Sequence, residues 1–150
     1  MANEANSLPA WFWPAIPIFF VGLWCGATFL LALVSGWRRL AAHYPGEAPT
    51  DGRRFRFRSA RIGLVSYNTC LNFAAAPDGL HIWVLLPFRL GSPPLLVPWR
   101  DLSATPDRGW VVNRVALSFA QAPGIRFQIA RSLGEEIAAA SRGALRIGPE

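Results

Sequence analysis

Lysine is absent from this chain, and all fifteen basic side chains are arginine. GC-rich coding produces that choice without selection for a guanidinium, so the net charge of +6 carries information and the residue type carries little. Cysteine is nearly absent too. Cys25 lies in an apolar run and Cys70 in an alternating segment, 45 positions apart, which excludes a disulfide framework and a thiolate metal cluster. The only histidines are His43 and His81, and the nine acidic residues are scattered except for Glu135 and Glu136, whose place at a helix start explains them. The hydrolase, phosphate-loop and dinucleotide signatures G-x-S-x-G, G-x-x-x-x-G-K-[ST] and G-x-G-x-x-G are missing. A Cys70–His81 pair is the sole nucleophile–base combination to weigh, and free strand cysteines usually act as small hydrophobes. Accordingly no catalytic residue, metal site or cofactor is expected, and the chain is not expected to be an enzyme.

Charge is also lacking across residues 10–34, twenty-five positions without a charged side chain. As one helix this run would extend about 37 Å, against a hydrocarbon core of about 30 Å. Pro14 and Pro17 predict a helix start near one of them, because proline is tolerated only in a first turn. Trp11, Phe12 and Trp13 then mark one membrane interface and Trp37 the other. A cleaved secretory signal is the weaker alternative, since MANEANSLP has no basic residue. Arg38 and Arg39 follow the run and none precedes it, so the positive-inside rule predicts an external N-terminus and a cytoplasmic remainder at the inner (plasma) membrane. Within the run, Gly22 and Gly26 form a G-x-x-x-G, a candidate contact for a homodimer.

Beyond the run, Trp37, Leu40, Ala41 and Tyr44 share one helical face opposite Arg38, Arg39 and His43. The expectation is an amphipathic juxtamembrane helix over 37–44, lying in the headgroup layer or docked on the following domain, with the former preferred because the anchor holds it there. Pro45-Gly46 and the stretch 49–52 predict a linker over 45–52. The organisation is thus a tail over 1–9, an anchor over 10–36, the short helix, the linker, and a domain over 53–150.

In that domain the hydrophobic period falls to 2. Strands are expected near 53–59, 61–67, 69–75, 80–86, 94–100, 110–119 and 124–130, with turns at Pro77-Asp78-Gly79 and Ala122-Pro123-Gly124. The alternation points Leu80, Ile82, Val84 and Leu86, then Val115, Leu117 and Phe119, then Ile125, Phe127 and Ile129, to a core. A slip at 59–61 predicts a bulge or bend. Ser132 with Glu135 fits a capping box, Leu133, Ile137 and Ala140 share a helical face, and Gly143 fits a helix stop.

Seven strands and one closing helix, together with GLHIWVLLPFRLGSPPLLVPWRDL over 79–102, SGWRRLAAHYP and SYNTCLNF, make the chain resemble bacterial single-pass membrane proteins with a pleckstrin-homology-like (PH-like, GRAM-like) domain. The resemblance implies a seven-stranded bent sandwich or barrel capped by a C-terminal helix, behind a transmembrane anchor. It implies binding or scaffolding, with a phospholipid membrane or a protein as partner. The stretch RRFRFR offers Arg53, Arg54, Arg56 and Arg58, which with Arg38 and Arg39 are the candidate headgroup-binding residues. Alternation sends Phe55 and Phe57 to the opposite face and into the core, which speaks against base stacking and against nucleic acid as a partner.

Overall fold

The computed structural model describes residues 8–47, 49–108 and 113–149. The tail expected over 1–9 and the start of the strand expected over 110–119 therefore lie largely outside the described residues.

Helix α1 (Phe12–Val34) is long and apolar enough to cross a membrane, rising about 34 Å. It begins at Phe12, ahead of both prolines, and carries Pro17 inside it. Gly36, at φ +83°, breaks the chain into a second helix, α2 (Trp37–His43), a conformation that a side chain would resist.

The face of α2 goes into the β domain, contrary to the expected headgroup location. Trp37 and Leu40 are fully buried and Tyr44 nearly so. Trp37 Nε1 donates to Pro93 O at 2.8 Å, and its ring lies 5.9 Å from that of Tyr67. An apolar helical face buries against whatever apolar surface adjoins it, and here a sheet does so. Trp37 is consequently a core residue and not an interfacial anchor.

Seven antiparallel strands follow: β1 (Arg53–Ile62), β2 (Val65–Ala76), β3 (Gly79–Val84), β4 (Leu95–Val97), β5 (Leu102–Arg108), β6 (Asn113–Phe119) and β7 (Phe127–Ala130). They form one curled sheet in the order β4-β3-β2-β1-β7-β6-β5. Helix α3 (Arg131–Ala140) buries Leu133 and Ile137 against β6 and β7. Edge-to-face contacts of Phe127 with Phe73 and Phe119, at 6.3 and 5.7 Å, tie the two halves of the sheet into one core.

Both terminal strands are covered. Leu96 N donates to Tyr44 O and Gly46 N to Pro94 O, so the start of the expected linker runs as an extra rung beside β4. On the other edge, Ile147 bridges Ala104 in β5. Such covers remove the unpaired backbone rows that invite aggregation.

Further expectations change. The first three expected strands are in fact two, because the hairpin turn sits at Gly63-Leu64 while bulges interrupt both strands. Between Phe55 and Arg58 three steps along β1 match two along β2, with Phe57 at φ +54°. Phe57 therefore turns outward, 59% exposed, its N–H donating to the buried Asn72 side chain at 3.1 Å. Leu86 lies beyond the end of β3 and is 71% exposed. Finally, β7 enters α3 without a loop, so Ala130 holds the N-cap position, Ser132 caps nothing, and Glu135 bonds Arg131 at 3.0 Å.

Candidate functional site

The chain leaves α1 beside a cleft of about 470 Å³. Three segments supply its basic groups: Arg39 from α2, Arg61 from β1, and Arg126 from the turn before β7. Arg61 pairs in register with Gln128, so both side chains share the face opposite Ile62 and Phe127, which are fully buried. Gly63 N donates to Arg126 O at 2.8 Å, which pins the two turns together. No Asp or Glu lines the cleft, and among the described residues none of these three arginines has a carboxylate partner. Three guanidinium forks with free donors in one concavity suit a multiply charged oxyanion such as a phosphate ester.

A hydroxyl relay fixes the cleft to the foot of α1. Ser35 Oγ bonds Ala32 O at 3.3 Å and Tyr67 Oη at 3.1 Å, and accepts from Trp37 N. With the single Ser35 proton directed at Ala32 O, the Tyr67 hydroxyl donates to Ser35. Burial pushes the Tyr67 phenol above its ordinary range, against the opposing pull of the Ser35 and Ser92 hydroxyls.

The other candidate arginines lie elsewhere. Arg38 stacks over the Phe29 ring of α1 at 5.3 Å. Arg53 lies over Phe55 at 5.5 Å, Arg54 donates to Pro49 O and Thr50 O at 2.7 and 3.3 Å, and Arg58 pairs with Glu136 at 3.1 Å. Among the described residues Arg56 has no partner, and it borders a cavity of about 300 Å³ with Phe57 and Trp83. Along β1, Arg53 is nine residues, about 30 Å, from Ile62 and the cleft. Of the six, only Arg39 is brought to the cleft. Arg61 and Arg126 were not among the candidate headgroup residues, because the cleft assembles them from separate segments; their signal was a basic residue near each of two glycine-containing turns.

Cys70 and His81 are not brought together. His81 faces Ala74 across the β2–β3 pair, four residues or about 13 Å from Cys70 along β2. His81 is held by Asp78 Oδ1 and Glu47 O at 3.0 and 3.1 Å, and burial pushes the Cys70 thiol up, away from the thiolate. Among the described residues no cluster of His, Cys, Asp or Glu could hold a metal ion. Gly22 and Gly26 have nothing within 4 Å of a side chain placed on them, leaving that face of α1 open. Neither a family model nor a curated protein matches this chain.

Proposed function

We propose that this chain is a single-pass membrane protein whose PH-like domain works by binding, and that the Arg39–Arg61–Arg126 cleft takes the phosphate of an anionic phospholipid headgroup. The observation that carries it is the cleft's position: three unpaired arginines converge where α1 ends. A group placed there meets the membrane surface whatever the tilt of the domain. The PH-like assignment is supported by the strand order and by the helix that closes the sheet. Arg38 and Arg39 after the span support an external N-terminus and a cytoplasmic domain at the inner (plasma) membrane.

A basic residue near such a surface contributes about 1 kcal/mol, so three give about 3 kcal/mol, a modest affinity for a free domain. Tethering by α1 holds the domain at roughly millimolar effective concentration, where a modest contact suffices to orient it. The test is co-sedimentation of the fragment 36–150 with liposomes. The expected result is binding to anionic vesicles that weakens as salt rises and much weaker binding to neutral ones; equal binding to both would reject the headgroup role.

Exposure of Phe57 beside Arg54, Arg56 and Trp83 favours a second reading, an assembly subunit with a protein partner and no lipid role. Phe57→Ser would then abolish capture of that partner from intact membranes while leaving liposome binding unchanged. The open Gly22 and Gly26 face supports a homodimer through α1, which Gly26→Leu would disrupt in a crosslinking assay through Cys25.

A further inference from the structure

We infer that the β3–β4 loop, residues 85–92, enters the lipid bilayer alongside α1 and contacts acyl chains through Leu86, Phe88 and Leu90. The inference rests on α1 spanning the membrane, and it follows from where the loop touches α1.

The Phe88 ring lies 5.1 Å from that of Trp24, ten residues or about 15 Å before the end of α1. Nearer that end, a Cβ placed on Gly91 would stand 2.9 Å from Phe29 Cδ2 and 3.4 Å from the Ala32 methyl. Gly91 is at φ +76°, so its missing side chain and its conformation both serve this close approach. The loop thus climbs nearly the last half of α1. If the membrane surface lay on the far side of Trp24, only Phe12 to Leu23 would remain to span it. Those twelve residues rise about 18 Å, well short of a core of about 30 Å. Trp24 must therefore sit below the surface, and Phe88 goes with it.

The loop has the chemistry for that place. Leu86 and Leu90 are exposed and Phe88 partly so, and they continue the apolar surface of α1. Within the loop Phe88 N donates to Leu85 O and Ser92 N to Arg89 O; lipid-exposed irregular backbone is excluded from the hydrocarbon core, so the loop backbone stays at its boundary and the apolar side chains reach in. Arg89, exposed between Phe88 and Leu90, sets the depth. A guanidinium is costly in the hydrocarbon centre but can reach the phosphates on its long stem, so the hydrocarbon boundary crosses α1 within about a turn beyond Trp24, the cleft stands at the outer headgroup level, and the wedge is shallow. At its base, Ser92 is buried and the next residue, Pro93, accepts from Trp37 Nε1 at 2.8 Å, which locks the loop to the foot of α1.

The test labels the full chain with an environment-sensitive fluorophore at single cysteines, in a Cys25→Ala, Cys70→Ala background reconstituted into phosphatidylcholine–phosphatidylglycerol vesicles. Positions 86 and 90 carry the question, position 20 reports the span, and exposed position 103 reports water. Spin-labelled acyl chains should quench 86 and 90 several-fold more than 103, and iodide several-fold less. Iodide quenching at 86 and 90 equal to that at 103, with 20 protected, overturns the inference and leaves the span standing. Iodide access at 20 overturns the span and the inference together. Hydroxyl-radical footprinting of the unsubstituted chain in the same vesicles asks the question without substitutions: Phe88 should be oxidised several-fold more slowly than Phe57, and equal rates would overturn the inference.

Discussion

The two ends of β1 carry the same residue type in opposite circumstances. At the start of the strand, Arg54 spends its donors on Pro49 and Thr50 carbonyls and Arg53 lies on Phe55. At its finish, Arg61 joins Arg39 and Arg126 in a concavity without a carboxylate. Arginine density along the chain therefore says little about where a charged ligand is held. What distinguishes the cleft end is that its cations converge from three segments.

That contrast requires α2 to be part of the β domain, since α2 delivers Arg39. The largest expected effect follows. The fragment 36–150 should fold cooperatively, whereas 45–150, lacking Trp37, Leu40 and Tyr44, should not, because Trp37 alone is worth about 3–5 kcal/mol on truncation and small domains have only about 5–15 kcal/mol in all. Thermal melts of both fragments and of Trp37→Ala check this; coincident melts would detach α2 from the domain. Next in size, Ile137→Ala should cost about 2–5 kcal/mol by opening a void under α3, while leaving liposome binding by the folded protein intact.

A smaller effect separates the relay from the core. Tyr67→Phe should cost about 1 kcal/mol through the lost hydroxyl bonds. Its pH dependence has a definite sign. The folded-state phenol titrates above the unfolded value of about 10, so its contribution is fully present below that pH and is lost as pH rises through the folded-state value. Alkaline melts of the wild type should fall more steeply than those of Tyr67→Phe. The smallest effect is at Arg58, whose pair with Glu136 is about one-third exposed on both sides; screening limits Arg58→Ala to about 0–1 kcal/mol in a denaturant titration.

The sequence made some of this legible and hid the rest for physical reasons. Strands β3, β6 and β7 announced themselves through Leu80–Ile82–Val84, Val115–Leu117–Phe119 and Phe127–Ile129, whose alternation is unbroken and whose side chains are buried. Bulges at Phe57 and Thr69, both at φ +54°, interrupt that period just as a turn does, so β1 and β2 looked like three strands. Strand β5 was missed because Leu102 and Ala104 give only a short apolar alternation and Pro106 argues against a strand; as a terminal strand it tolerates the proline. The amphipathic pattern of α2 was plain, but a lipid surface and a protein core demand the same pattern. The cleft is a tertiary object, and only Arg39 lay in a stretch whose position relative to α1 could be reasoned from sequence.

The measurement that bears most directly on the two ends of β1 is a paired titration of fragment 36–150 with anionic liposomes. One variant carries Arg39→Gln, Arg61→Gln and Arg126→Gln, and the other carries Arg53→Gln, Arg54→Gln and Arg56→Gln. Loss of about 3 kcal/mol from the first set corresponds to a fall in affinity of about a hundredfold, with the melt unchanged, while the second set should lose less than about tenfold. A larger loss from the strand set than from the cleft set would contradict the account and return the headgroup contact to the start of β1.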